Sequence, residues 1–455
     1  MNLEMTWEQL ARAAGGRLVA GPGQDPIASL STDTRSLRAG EAFWALKGTR
    51  YDGHDFLSRE LAGRASGWVI EQGRQGAQAL GPGHLVEVAN TLKALQALAA
   101  HHRRRFELPV VAITGSNGKT TTKEMLKGIC RRLGPTCASP GNWNNQVGVP
   151  LSVLELAAAH RYAIFELADS HPGDIREVSR IAQPGLGILT NIGPDHLEFY
   201  GSLEANFRTK SELIESLPPE GKVAINIDDP WLSGLEARLG PRAVTFGASP
   251  RARVSFPTPE EMIIDRHRIR VRLAAFGALS RYNAAAAAAA AWALGIDPET
   301  IRNGLEDFRP SAMRLEVLKA PSGATIVLDA YNANPASMRA AIEAFCGEFA
   351  PSPGVLVLGD MKELGAESGR FHRELGEWLG VLALGGLYLA GPEMKSAYEA
   401  VRLQKPPFAV HYGETPQAWL DSLRRELTPE RVLFLKASRA MRFESLLEAL
   451  TCSTT

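Results

Sequence analysis

The chain has 455 residues, 45% of them hydrophobic, and 50 basic residues balance 50 acidic ones. This length suits about three domains with cores of their own. A net charge of zero gives no electrostatic reason to expect nucleic acid or an anionic membrane as a partner.

The N-terminus carries acids and no apolar signal core. Residues 7–14 predict a short helix stopped by Gly15-Gly16. Residues 42–46 predict a strand, 47–54 a loop, and 68–70 an extended segment. Gly81-Pro82-Gly83 breaks the chain and marks a linker. A helix over 91–104 then leads into an apolar strand from Val110. Strands follow at 162–167, 186–191 and 222–226, and the alternation of Arg with Ile, Val and Leu over 268–273 predicts an antiparallel, half-exposed strand. The run Ala284 to Ala291 is too short for the ~18 residues of a membrane span and predicts a closely packed internal helix. After Phe308-Arg309-Pro310 a β-α series restarts, with strands at 325–328, 355–358, 387–390, 408–412 and 432–436. Thr415-Pro416 opens one of its helices. Such alternation implies an open parallel sheet with right-handed crossovers. Cys130, Cys137, Cys346 and Cys452 lack C-x-x-C spacing, which points to reduced thiols in a cytoplasmic protein rather than a disulfide frame or zinc site.

The most informative stretch is Gly115-Ser116-Asn117-Gly118-Lys119-Thr120-Thr121, placed between the apolar strand and a helix. The N–H groups of such a turn and the helix N-terminus present partial positive charge to an anion. Lys119 can reach terminal phosphates and the Thr120 hydroxyl can ligate Mg²⁺, so a nucleoside triphosphate site is expected. The general P-loop has four residues between its glycines, whereas here there are two. Ligands of open α/β sheets sit at the carboxyl ends of strands. That makes Glu166 either a metal ligand or a solvated carboxylate, and His196 either a ligand or a hydrogen-bonded scaffold residue. The expected architecture is α/β in three domains: a small mixed unit over 1–84, a central P-loop ATPase-like parallel-sheet domain over 85–312, and a Rossmann-like domain over 313–455.

The compact loop resembles that of the Mur ligase family and of the folylpolyglutamate synthases. Glu166-Leu167-Ala168-Asp169-Ser170-His171 and Thr190-Asn191-Ile192-Gly193-Pro194-Asp195-His196 resemble the Mur ligase segments that carry a Mg²⁺-binding glutamate and histidine, and Lys210 matches the lysine that becomes carbamylated. Asn142-Trp143-Asn144-Asn145, Tyr331-Asn332-Ala333-Asn334-Pro335, Leu358-Gly359-Asp360-Met361-Lys362-Glu363-Leu364-Gly365 and Lys436-Ala437-Ser438-Arg439 resemble motifs of the family members that add D-alanyl-D-alanine. Ser31-Thr32-Asp33-Thr34-Arg35 and Lys47-Gly48-Thr49-Arg50-Tyr51-Asp52-Gly53-His54 resemble the family's UDP-sugar-binding segments.

The resemblance runs through the chain in order. It implies ATP-driven amide formation between UDP-N-acetylmuramoyl-tripeptide and D-alanyl-D-alanine through an acyl phosphate, by a monomer without membrane insertion. Thr120, Glu166, His196 and carbamylated Lys210 would hold two Mg²⁺, while Asn283, Arg314 and Asp329 would join the loop in binding ATP. Ser31, Thr32, Arg35, Lys47, Asp52, His54, Asn142, Asn144, Asn145, Tyr331, Asn332, Asn334, Ser438 and Arg439 would bind the other substrates. Two departures stand out: Ala168-Asp169-Ser170 replaces the more usual Gly-Ala-Asn, and Leu279-Ser280 stands where His-Asn is common. The alternatives are a sister ligase adding the third amino acid, a folylpolyglutamate synthase, or a nucleotide-binding regulator. The Tyr-Asn-Ala-Asn-Pro motif argues against the first two, and intact Lys119, Glu166, His196 and Lys210 against the third. Whether the tripeptide ends in lysine or diaminopimelate stays open.

Overall fold

The computed structural model describes residues 3–58, 63–74 and 83–451. Cys452, Gly81 and Pro82 lie outside them; Cys130, Cys137 and Cys346 are free thiols. No helix among the described residues is long and apolar enough to cross a membrane.

Three sheets organise the chain. The first is five-stranded, in the order Arg17–Ala20, His84–Val88, Gly67–Glu71, Ala42–Trp44, Leu30–Ser31, with only the Arg17–Ala20 strand antiparallel to its neighbour. The preceding helix, Trp7–Ala13, starts on a capping box in which Thr6 and Gln9 satisfy each other's backbone N–H groups. His84–Val88 is an integral strand of this sheet, so the unit runs past the boundary expected at residue 84. Gly83 leads into that strand rather than ending a domain. Asn90 caps the helix that follows, Thr91–Arg103, against which Trp44 is anchored by its Nε1 donating to Thr91 O at 2.8 Å.

The second sheet has nine strands. Seven run parallel, in the order Val254–Thr258, Ala243–Gly247, Lys222–Asn226, Leu186–Leu189, Val110–Thr114, Tyr162–Glu166, Thr136–Ala138. Glu261–Ile264 and His267–Arg270 extend it antiparallel, the latter as the alternating Arg pattern predicts. Val110–Thr114 lies centrally, and the chain builds outward from it on both sides. That is the kind of crevice where α/β sheets bind ligands. The alanine run is the middle of the helix Ala278–Ala293, with every residue from Ala284 to Ala291 at 0% exposure. Small side chains let it approach the helix Lys119–Arg131 that carries the phosphate-loop lysine.

The same closeness recurs at Gly304, where a Cβ would lie 2.4 Å from Ile129 Cα. That is backbone contact, which no rotamer change relieves. Gly304→Ala is therefore expected to destabilise the fold by roughly 1–3 kcal/mol, the cost of overpacking a filled interior. Thermal unfolding checks it: an unchanged melting temperature would mean the two helices slide apart freely.

The third sheet is Glu316–Lys319, Thr325–Asp329, Val432–Lys436, Val355–Gly359, Gly386–Ala390, Val410–Gly413, parallel except for its first strand. The helix expected at Thr415-Pro416 begins as a 3-10 turn, Pro416–Trp419, without a hydrogen bond from the Thr415 side chain.

Candidate active site

A cleft of about 370 Å³ opens at the carboxyl ends of Val110–Thr114 and Tyr162–Glu166 and is closed over by the third domain. Its floor is the loop Gly115 to Thr120, which uses glycine where no side chain fits. A Cβ on Gly115 (φ +142°) would meet Thr190 Oγ1 at 2.0 Å, and one on Gly118 (φ +85°) would meet Asn283 Oδ1 at 2.1 Å. The loop is clamped by the segment after Leu186–Leu189. Ser116 N donates to Asn191 O and Asn117 N to Asn191 Oδ1, both at 2.9 Å, and Thr190 Oγ1 donates to Asn117 O at 2.6 Å. Ser116 Oγ donates to Asp195 Oδ1 and accepts from Gly193 N. The loop is thus held rigid from its flank, leaving the helix N-terminus at Lys119 facing the cleft.

Lys119 is partly buried and folds along the loop, its Nζ donating to Gly115 O at 2.5 Å. Burial, and after it the charge of Lys210, lower its pKa below the ordinary lysine value. Arg314 arrives from the third domain: its guanidinium donates to Thr120 Oγ1 at 3.0 Å and lies 3.9 Å above the Tyr331 ring. Asn334 Nδ2 donates to Asn117 Oδ1 at 2.9 Å, and Glu363 Oε2 lies 2.7 Å from His196 Nδ1, an ion-pair contact without hydrogen-bond geometry. Three contacts therefore latch the third domain onto the phosphate loop and its flank.

Glu166 is 2% exposed at its strand end. Oε1 accepts from Asn144 Nδ2 at 2.9 Å, while Oε2 has no hydrogen-bond partner, its nearest cation being the Lys123 ammonium at 3.7 Å. A buried carboxylate oxygen without a donor is costly unless something else meets it. Beside Thr120 and a phosphate loop, this is a donor set that fits Mg²⁺. Lys123, fully buried, donates to Ser139 O and Gly141 O and so carries the Asn-rich loop that reaches Glu166.

Two family profiles match the chain: the Mur ligase middle domain over residues 113–291, and the Mur ligase glutamate ligase domain over 313–439. The chain is 32% identical to the UDP-N-acetylmuramoyl-tripeptide–D-alanyl-D-alanine ligase of Bacillus subtilis, over 94% of each chain. It is 34% identical to that of Escherichia coli over 82% of this chain and 83% of the other. The chain belongs to the Mur ligase family. Its three sheets match the N-terminal, middle and C-terminal domains of Mur ligases. A crystal structure of MurF from Acinetobacter baumannii superposes with a TM-score of 0.88 at 32% identity over 98% of both chains. MurF from Thermotoga maritima in complex with ADP gives 0.81 at 29% over 93% and 97%.

Other residues that the Mur ligase resemblance singles out are placed unevenly. Asn142, Asn144, Asn145, Asn283, Asp329, Tyr331, Asn332 and His196 line the cleft with the loop residues. Asn145 Oδ1, however, accepts from Val147 N and Gly148 N and so also opens the next helix, and Asn334 caps the helix Pro335–Glu348. Asp329 accepts from Lys436 Nζ at 2.6 Å. Several expected ligands are engaged by other groups of the chain. Ser438, 3% exposed, accepts from Lys362 N and donates to Ala333 O, so it shapes the cleft wall and does not stand free for substrate. Arg439 pairs with Glu444 away from the cleft. His54 is buried between Asp52 Oδ1 and the Glu71 N–H, so both it and Asp52 hold the 47–54 loop rather than offering free groups. Lys47 pairs with Asp52 across the neck of that loop.

Ser31, Thr32 and Arg35 line none of the clefts of the central domain. Arg35 is exposed and paired with Asp33. A second cleft of about 340 Å³, lined by Asn226, Asp228, Tyr282, Asn283 and Leu279, adjoins the loop on its other side. Ser280 lines the first cleft beside Leu279 but not the second, and its hydroxyl donates back to Phe276 O at 2.8 Å.

Lys210 departs most from expectation. It is fully buried, does not line the cleft, and is ion-paired with Asp169 and Asp195. Burial alone would lower its pKa, but the Asp195 and Asp169 carboxylates outweigh that and raise it, while Asp195 is held down to about 2.

Proposed function

We infer that this chain joins D-alanyl-D-alanine to UDP-N-acetylmuramoyl-tripeptide at the expense of ATP, giving the UDP-pentapeptide used in peptidoglycan synthesis. The observation that carries this reading is its likeness, over nearly the whole length, to ligases of this specificity, 32% identical over 94% of both chains in one case. The Tyr331-to-Pro335 and Leu358-to-Gly365 motifs add to it.

The peptide carboxylate attacks the γ-phosphorus of ATP, forming an acyl phosphate and releasing ADP. The amine of the dipeptide then attacks the carbonyl carbon, and phosphate leaves. Such chemistry needs alignment and charge neutralisation more than covalent help from the protein. The N–H groups of Gly118 to Thr120 cradle the phosphates, Lys119 supplies a cation from one side, and Arg314 supplies another from the third domain. Thr120 and Glu166 would hold a Mg²⁺, which supplies further neutralisation of phosphate oxygens when bound. His196 faces the cleft with Glu363 2.7 Å from its Nδ1 and would serve as a further ligand of the metal. Lys210, once carbamylated, would serve a second Mg²⁺ from the side of Asp169 and Asp195. Contacts from Arg314, Asn334 and Glu363 hold the domains together over the loop and keep water from the acyl phosphate. The 31–35 and 47–54 segments of the first domain would hold the UDP end of the substrate. ATP and a UDP-linked substrate place the reaction in the cytoplasm.

The test is product mass. With the UDP-tripeptide, ATP and an equimolar mixture of D-alanyl-D-alanine, L-lysine and diaminopimelate, the expected product is the D,D-dipeptide adduct, in excess of any other by at least a hundredfold. A lysine or diaminopimelate adduct as main product would establish the sister-ligase activity instead.

A further inference from the structure

His372 lies on the helix Ser368–Leu379 of the third domain with no solvent exposure, and it lines neither cleft. Its Nε2 is 3.1 Å from the Met361 backbone nitrogen and its Nδ1 2.8 Å from Ser368 O. A backbone N–H can only donate and a carbonyl can only accept, so Nε2 is bare and Nδ1 carries the proton. The ring is neutral in this arrangement. Burial lowers its pKa below the ordinary histidine value, against the pull of the Ser368 carbonyl and the Asp360 and Glu393 carboxylates.

Met361 is the middle of three consecutive residues that are pinned by neighbouring segments. Asp360 is fully buried: Oδ1 accepts from Met394 N at 3.0 Å, Oδ2 from Lys362 Nζ at 2.7 Å, and its carbonyl from Ser438 N at 3.1 Å. Lys362 N donates to Ser438 Oγ at 2.9 Å. Beyond them the chain turns through two left-handed residues, Glu363 at φ +66° and Gly365 at φ +57°. For glutamate that conformation is unfavourable and persists only where its surroundings enforce it. The turn brings the chain onto the second domain. Glu363 O accepts from Glu198 N at 3.3 Å, and a Cβ on Gly365 would lie 3.1 Å from Glu198 Cα. Glu198 belongs to the short helix Leu197–Tyr200.

We propose that His372 is a positioning residue for the ligase reaction: its bare Nε2 fixes Met361, so that the 360–365 loop is a preformed latch by which the third domain docks on the Leu197–Tyr200 helix. A loop shaped before docking loses little conformational freedom when it docks. Without the bond to Met361 the closed state is less populated, and water reaches the acyl phosphate. The latch stands on the geometry; only this consequence for turnover rests on the ligase reading.

Hydrogen exchange of the full chain, resolved to single amides and carried out without substrates, tests the latch. His372→Leu removes the acceptor and should speed exchange of the Met361 and Glu198 amides at least tenfold, with the strand Val432–Lys436 unchanged. His372→Asn, whose shorter side chain does not reach Met361, replaces it if the leucine variant fails to fold. His372→Gln, whose side-chain oxygen can stand in for Nε2, should keep both amides slow. Gly365→Val leaves His372 in place and should release Glu198 alone. In turnover, phosphate released should exceed peptide product at least twofold in His372→Leu and match it in the wild type and in His372→Gln. A folded variant without the acceptor that leaves either amide as slow as in the wild type overturns the role of His372. Wild-type exchange at Glu198 in Gly365→Val overturns the latch. One phosphate per product in a variant whose amides are released overturns the link to water exclusion. A wild type that forms no peptide product would count against the ligase reading and leave the exchange result standing.

Discussion

Lys119→Ala is expected to lower turnover by about three orders of magnitude while the protein stays folded. The side chain crosses the mouth of a loop whose shape is fixed by other groups: Asn191, Thr190 and Ser116 bind its backbone, and Lys119 itself adds only bonds to Gly115 O and Ser116 O. The fold therefore loses little. The reaction loses the cation nearest to the phosphates, and a preorganised charge aimed at a developing anion contributes roughly 3–4 kcal/mol, or about 1.4 kcal/mol per tenfold in rate. Steady-state kinetics beside a thermal melt separate the two. A folded variant within tenfold of wild type would remove Lys119 from the chemistry.

Glu166→Gln carries the second large effect, and it decides between two uses of the same side chain. If Glu166 serves a metal, the isosteric amide keeps the Asn144 contact but loses the anionic oxygen. Turnover should then fall about 10²–10³-fold and the Mg²⁺ concentration for half-maximal activity should rise. If Glu166 serves only as counter-ion to Lys123, the loss leaves that buried ammonium with Glu124, at 3.3 Å, as its remaining carboxylate. Stability would then fall, with the metal dependence unmoved. The 3.7 Å separation from Lys123 and the lack of a donor on Oε2 favour the first outcome. Activity titrated with Mg²⁺, together with unfolding by denaturant, distinguishes them.

The phosphate loop was legible in the sequence because its information is local. Glycines, a lysine and a threonine at fixed spacing after an apolar run leave little freedom for another reading. Strands of five apolar residues such as Val355–Gly359 were legible for the same reason. Leu30–Ser31 and Thr136–Ala138 were not, because two or three residues carry no periodicity. Gly81-Pro82-Gly83 looked like a linker because its composition says nothing of which strands lie on either side. The parallel pairing of Gly67–Glu71 with His84–Val88 puts both strands in one sheet.

At the site, Asn145 and Asn334 were read as ligands from a resemblance, yet both also cap helices. The side-chain oxygen that suits a peptide substrate suits a helix N-terminus equally. Asp195, Lys123, Asn206 and Glu363 were missed as individual participants because their work is long-range. The Asp195 carboxylate gathers Ser116 from the phosphate loop and Asn206 and Lys210 from the helix Leu203–Glu215, and Glu363 finds His196 only once two domains meet. Asp169 was the exception. As an aspartate where alanine is usual it could be seen in the sequence, but its partner on a helix some forty residues away could not.

The central claim is that the peptide carboxylate is activated by phosphorylation in the cleft under Arg314. It is tested most directly by the fate of oxygen. UDP-tripeptide labelled with ¹⁸O in its terminal carboxylate is turned over with ATP and D-alanyl-D-alanine, and the phosphate and nucleotide products are analysed by mass spectrometry. The account predicts one ¹⁸O in each inorganic phosphate released, with ADP unlabelled. Unlabelled phosphate, or label appearing in AMP, would contradict it.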